Sequence, residues 1–169
     1  MKDFIRNFLK DVDIDGGNIK VGVNVFSSGS KIEFHLNEYE TKADLFAAID
    51  SVSYQGYKTN IARALERTRL EMFTVKNGDR PDVDNMIVLL TDGKSSKLKE
   101  RAVPEAEETR DAGIHIYGVA IGFTDYSELD QIVTKPASSN RFAVDSFDEL
   151  NELKRKIFAE FCGKLQTHC

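Results

Sequence analysis

The sequence predicts an α/β fold, doubly wound, with a mainly parallel sheet, helices on both faces and one antiparallel edge strand. Three observations carry this prediction. Short runs of alternating or continuous apolar residues recur along the chain, separated by segments whose apolar residues fall three and four apart. Two of the runs, Met86-Ile87-Val88-Leu89-Leu90 and residues 114–121, are apolar almost throughout, as suits parallel strands buried on both faces. Capping and turn residues stand at the junctions, and strands that alternate with helices imply crossovers over both faces of one sheet.

Met1, Phe4, Ile5, Phe8, Leu9 and Val12 fall at helical spacing, so the chain opens in an amphipathic helix that Gly16 and Gly17 end. Ile19, Val21, Val23 and Val25 then alternate as a strand. Residues 27–30 turn the chain into Lys31-Ile32-Glu33-Phe34-His35-Leu36, whose alternation of polar and apolar residues after a short connection predicts an antiparallel edge strand. Thr41 is placed to cap a helix with Leu45, Phe46 and Ile49 on one face. After a polar loop over residues 51–58, a helix from Asn60 to Met72 turns Ile61, Ala64, Leu65 and Met72 inward and Arg63, Glu66, Arg67 and Arg69 toward water. Asn77, Gly78 and Pro81 mark the loop before the apolar run at 86–90, which Thr91-Asp92-Gly93 terminates. Pro104 suits the first turn of the next helix and Gly113 its left-handed C-cap. A strand at 114–121, a short helix at 127–133, a strand at 141–144 and a long helix at 147–161 complete the alternation.

At 169 residues the chain fits one domain, with a cysteine-containing tail at 163–169. With 41% hydrophobic and 30% charged residues it has the composition of a folding globular protein, which excludes long disordered or collagen-like tracts. The net charge of −5 is distributed in mixed-sign runs without a basic stripe, which disfavours nucleic acid and anionic membranes as partners. No apolar run approaches the roughly 20 residues that span a bilayer, and the opening residues lack the apolar stretch of a secretory signal, so Met1 taken as a true start implies a cytoplasmic protein. Cys162 and Cys169 lie too near the C-terminus to brace a core. A continuous helix would hold them about 10 Å apart, too far for a bridge, although Gly163 is placed to break it.

In open α/β sheets ligands bind beyond the carboxyl ends of the strands, so polar residues just after buried strands are the first candidates. Asp92, backed by Gly93, follows one such strand, and Thr59 stands at a helix start within Gly56-Tyr57-Lys58-Thr59-Asn60. One carboxylate and one hydroxyl are oxygen ligands suited to a hard cation such as Mg²⁺. Each also has a structural reading, Thr59 as a helix N-cap and Asp92 as a turn former. His35, His115 and His168 match no zinc spacing and read as structural, and the lysine- and serine-rich run 94–101 reads as a solvated loop. Neither a Gly-x-Ser-x-Gly elbow, a Walker loop nor a Gly-x-Gly-x-x-Gly turn occurs, which leaves an enzyme reading to fold analogy alone.

Several strings in order resemble the von Willebrand factor type A family. They are Ile19-Lys20-Val21-Gly22-Val23 with Phe26-Ser27, Gly56-Tyr57-Lys58-Thr59-Asn60 with Ala64-Leu65, Ile87 through Gly93, and Ala112-Gly113-Ile114 with Tyr117-Gly118-Val119-Ala120-Ile121-Gly122. Phe142-Ala143-Val144 before Ser146-Phe147-Asp148-Glu149-Leu150 completes the series. The resemblance covers nearly the whole chain, and 1–162 reads as a partial domain of this family. It implies a Rossmann-like fold whose first strand, with the Asp-x-Ser-x-Ser segment that follows it, has no counterpart here. In that family the first strand lies mid-sheet, so its absence should leave two unpaired strand edges.

The resemblance further implies a metal-ion-dependent adhesion site (MIDAS) in which Thr59 and Asp92 match two ligand positions, with Gly56, Tyr57 and Gly93 around the ligand-binding face. Mg²⁺ or Mn²⁺ is the cofactor so implied, bound weakly or not at all by an incomplete site. The function expected is a non-enzymatic, secreted module that binds a matrix or cell-surface protein such as a collagen, with Cys162 and Cys169 as disulfide candidates. The alternative is an intracellular scaffold subunit, and strand exchange with another chain is a further expectation.

Overall fold

The computed structural model describes residues 1–53 and 58–145. Helix α1 (Lys2–Leu9) buries Phe4, Phe8 and Leu9 on the face their spacing predicts. After the turn at Gly17, the strands β1 (Val23–Phe26) and β2 (Ser30–Phe34) pair antiparallel from Val23↔Phe34 to Phe26↔Ser30. Helix α2 (Lys42–Ser51) is capped as expected, the Thr41 hydroxyl accepting from the Asp44 N–H at 3.2 Å. It buries Leu45, Ala48 and Ile49, while Phe46 stays half-buried.

Helix α3 (Ile61–Arg67) is shorter than the apolar pattern implies, because Thr68–Met72 continues it as a π-helical turn. Two side-chain donors meet the Ala64 carbonyl at the point of widening: Thr68 Oγ1 at 2.8 Å and Asn24 Nδ2 at 3.1 Å. Side chains that enter the i→i−4 ladder are a common cause of such distortion. Helix α4 (Lys99–Asp111) begins five residues before Pro104, so that proline sits inside the helix and not in its first turn as its sequence context suggests. Its cost there is one backbone donor. The other end agrees with expectation, since Gly113 takes φ +81 immediately after the helix.

The parallel sheet has the order β3 (Met86–Thr91), β4 (His115–Ile121), β5 (Arg141–Val144). Register runs from Met86↔His115 to Thr91↔Ala120 and from Gly118↔Arg141 to Ile121↔Val144. Short helices α5 (Leu129–Ile132) and α6 (Ala137–Asn140) lie between β4 and β5, and α6 is not foreshadowed by any apolar period. Gly118 is where α5 comes closest to the sheet: a Cβ there would sit 2.7 Å from Val133 Cγ1 and 2.8 Å from Leu129 Cδ1.

Alternate side chains of the strands feed two cores. On one face Phe8, Val12, Leu45 and Ile49 of the first two helices and their connections pack with Tyr117, Val119 and Ile121. On the other, Ile61 and Leu65 of α3 and Ala102 and Ala106 of α4 pack with Leu89, Ile116 and Ala120. Helices therefore cover both faces, as an α/β fold of this kind requires.

Among the described residues no ladder joins the β1–β2 hairpin to the three-stranded sheet. Arg80, before β3, donates to the carbonyls of Gly17 (2.9 Å) and Asn18 (2.7 Å), before β1, and Asn60 Nδ2 donates to the Ser28 carbonyl in the β1–β2 turn at 3.2 Å. Among the described residues β1 is laddered to β2 alone and β3 to β4 alone, so each has one edge without a ladder partner. This corrects two expectations. The extended run from Ile19 is a ladder strand only from Val23, where β2 supplies a partner, and β3 is half-buried over most of its length although continuously apolar. The expected helix at 147–161, Cys162, Cys169, the tail at 163–169, Gly56 and Tyr57 lie outside the described residues.

Candidate functional site

The carboxyl ends of β3 and β4 and the start of α3 meet at one end of the sheet, where Thr59 and Asp92 are found. The N-cap of α3 is Asn60 and not Thr59: Asn60 Oδ1 accepts from the Arg63 N–H at 3.1 Å. The Thr59 hydroxyl is therefore released from the capping role that its position in the sequence suggested. Its backbone instead ties two loops together. The Thr59 N–H donates to Ser96 Oγ at 2.8 Å, and the Thr59 carbonyl accepts from the N–H groups of Ser96 (2.8 Å) and Lys97 (3.1 Å).

Asp92 is exposed just beyond β3, while the preceding Thr91 is buried. The Thr91 hydroxyl closes the turn by donating to the Gly93 carbonyl at 2.6 Å and accepting from the Gly93 N–H at 3.3 Å. A Cβ on Gly93 would meet nothing within 4 Å, so the approach to Asp92 is open on that side. The loop is held from beneath by Glu128, only 8% exposed, whose Oε2 accepts from the Ser95 N–H at 2.7 Å. Beside it Lys94 Nζ pairs with Asp125. That ammonium, helped by the hydroxyl and N–H of Ser127, holds the Asp125 carboxyl well below the usual carboxylate range.

Structure thus brings Thr59, Asp92 and Gly93 to one end of the sheet. Ser96 and Glu128, which make this arrangement, were not singled out from the sequence. Ser96 had a detectable signal, a polar residue just beyond a buried strand, whereas nothing local distinguishes Glu128. His115 is structural as expected, with Nε2 2.7 Å from Asn140 Oδ1.

Thr59 and Asp92 offer one hydroxyl and one carboxylate to a cation. Among the described residues no group of three or more His, Cys, Asp or Glu side chains could hold a metal ion. Mg²⁺ takes about six oxygen ligands and sheds its waters reluctantly, so this donor set does not fit a complete site. Among the described residues, also, no helix is long and apolar enough to cross a membrane.

The family model of the von Willebrand factor type A domain matches residues 1–156. The chain is 32% identical over 163 residues to a mouse collagen alpha-4(VI) chain, covering 96% of this chain and 7% of that one. It is 28% identical over 162 residues to mouse matrilin-1, covering 96% of this chain and 32% of the matrilin. The chain therefore spans a third or less of the length of these curated relatives. Among solved structures it resembles proximal thread matrix protein 1 from the mussel byssus, determined with a zinc-occupied MIDAS motif. That match has a TM-score of 0.88 at 30% identity and covers 96% of this chain and 42% of the mussel chain. A zinc-occupied MIDAS motif is thus a property of a relative with the same architecture. The order of elements, the two helical layers and the sequence match together establish that the chain belongs to the von Willebrand factor type A domain family.

Proposed function

We propose that the chain is a non-enzymatic module that binds a matrix or cell-surface protein, such as a collagen, outside the cell, through the face carrying Thr59 and Asp92. The observation that carries this reading is the backbone tie between Thr59 and residues 96–97, which fixes the two loops of that face against each other. Similarity to collagen VI and matrilin chains supports a matrix setting. The side chains used are polar, Asp92 exposed and Thr59 half-buried, and binding through them requires no bond to be made or broken.

Cation binding by Thr59 and Asp92 alone is no tighter than about millimolar for Mg²⁺ or Mn²⁺, because two side chains do not offset the dehydration of a small cation. Titration calorimetry with either ion, together with surface binding to immobilised collagen in the ion or in chelator, tests the reading. Retention on collagen that Asp92→Ala and Thr59→Ala weaken is expected, with no ion-binding heat below millimolar. Micromolar ion affinity abolished by Asp92→Ala would instead reveal a complete site, and collagen binding indifferent to both substitutions would remove this face from the function.

The edges of β1 and β3 that lack a ladder partner among the described residues favour a second mode of association. Strand edges with unused hydrogen-bonding groups accept an extended segment, so strand exchange with another chain is a route to assembly.

A further inference from the structure

Three times in this chain an aspartate or asparagine precedes a glycine: Asp15-Gly16, Asn77-Gly78 and Asp92-Gly93. Such a pair can react with itself. The backbone nitrogen of the glycine attacks the side-chain carbonyl carbon of the residue before it, and glycine favours this because no Cβ blocks the approach. For an aspartate the new N–C bond forms a five-membered imide, and the carboxyl hydroxyl leaves with the amide proton as water. Water then reopens the ring at either carbonyl. Opening at the α-carbonyl gives isoaspartate, in which the main chain runs through the former side chain.

The fold holds two of these pairs apart. Asp15 Oδ1 accepts from the Lys42 N–H at 2.9 Å and the Gly16 N–H donates to Asp13 Oδ1 at 3.0 Å, so carboxylate and nucleophile are each engaged elsewhere. Asn77 Nδ2 donates to the Glu71 carbonyl at 2.5 Å, the Gly78 N–H donates to the Val75 carbonyl at 3.2 Å, and Gly78 is buried. Asp92-Gly93 differs at both ends. Asp92 is exposed, and among the described residues its carboxylate has no partner. The Gly93 N–H has a contact of 3.3 Å to Thr91 Oγ1, longer than the usual range for an N–H donor. A Cβ on Gly93 would meet nothing within 4 Å, so no packed group resists the movement that ring closure needs.

We infer that Asp92-Gly93 is a self-modification site, at which Asp92 converts slowly to isoaspartate through the imide while the other two pairs are protected by their hydrogen bonds. The conversion adds one methylene to the main chain and leaves the free carboxylate directly on Cα. The carboxylate is then no longer presented beside Thr59 as in the parent chain, and the face loses its partner as the protein ages. That consequence rests on the reading of this face as the partner-binding one, whereas the reaction at Asp92 does not.

The test holds the full chain in neutral buffer for weeks, counts isoaspartate with an isoaspartyl methyltransferase and places it by peptide mapping. Isoaspartate at position 92 exceeds that at 15 by about tenfold or more, because position 15 reacts only after its hydrogen bonds have opened. In urea that protection is gone. The two aspartates then react about equally, and Asn77 leads, since ammonia leaves an amide more readily than water leaves a carboxyl group. Gly93 lies outside the left-handed region and has room for a Cβ, so Gly93→Ala is compatible with the fold. Its methyl group slows the reaction at 92 by about tenfold or more. Equal isoaspartate at 15 and 92 in buffer, or a rate in Gly93→Ala that matches the parent's, would overturn the inference. Retention on immobilised collagen, followed in parallel, falls as isoaspartate at 92 rises, and falls more slowly for Gly93→Ala. Isoaspartate that accumulates at 92 while retention stays constant would keep the modification and remove Asp92 from the binding face.

Discussion

Strands β3 and β4 lie side by side in one parallel register, and both are built largely from apolar residues, yet they live in different environments. Six of the seven residues of β4 are buried, against two of the six in β3. Both strands have helices above and below. The difference is lateral: among the described residues β4 is bonded on both sides, to β3 and β5, whereas β3 is bonded on one side, to β4, and leaves its other edge unladdered. Burial of a strand therefore depends on its neighbours in the sheet as much as on the layers that cover it. An apolar run states what a strand tolerates, and the neighbouring strand decides whether it gets it.

The largest effect should come from pairing the unladdered edge of β3. Each buried backbone group without a partner costs about 1–3 kcal/mol, and several together rival the roughly 5–15 kcal/mol by which a typical domain is stable. This chain by itself is expected to be molten, aggregated or strand-exchanged. An eight-residue extended apolar peptide with lysines at its ends should pair with that edge, and a gain of about 2 kcal/mol would raise the unfolding midpoint by roughly 4–8 °C. Light scattering and thermal unfolding with and without peptide provide the check. A monomer with one sharp transition and no response would mean that β1 and β3 are stable as bare edges.

A pair of identical substitutions sharpens the contrast. Val119 in β4 is 0% exposed and Val88 in β3 is half-buried, and both contribute to the same core. Val119→Ala should cost about 2–3 kcal/mol and Val88→Ala about 1 kcal/mol, since the second side chain already meets solvent. Urea unfolding of both variants in the presence of the peptide gives the comparison. Equal costs would show that the unladdered edge of β3 does not leave Val88 open to solvent in solution.

The smallest effect concerns the loops at the ends of these strands, which Lys94 and Asp125 tie together. The carboxyl of Asp125 is held below its ordinary value of about 3.9, so the tie stabilises the fold above that pH and is lost as pH falls through the lowered value. Carbon-detected NMR titration should find Asp125 ionised where a free aspartate is half protonated, and Lys94→Ala should return it toward the ordinary range. An ordinary titration in the parent protein would mean that the loops after β3 and β4 move independently.

Much of the architecture could be read locally. The amphipathic face of α1, the Thr41 cap, the left-handed Gly113 and the hairpin depend on residues close in sequence, and the structure has each of them. Pro104, the π-helical turn and α6 were misjudged or missed, because their causes lie in distant contacts. Asn24, for instance, reaches the Ala64 carbonyl from a strand forty residues away. At the candidate site, Thr59 and Asp92 could be singled out, each just before a helix or just after a strand. Their attachment could not, since it rests on Ser96 and on Glu128, whose partner Ser95 is 33 residues distant.

The sequence by itself determined the class of fold, the order of its elements and the family, because apolar period, caps and turn residues act over a few positions. Only the tertiary structure decided that β3 is half-buried with one edge unladdered among the described residues, and that the loops carrying Thr59 and Ser96 are tied together. Those are relations between segments far apart in the chain, set by backbone hydrogen bonds such as those joining Thr59 to residues 96 and 97, and no local pattern encodes them.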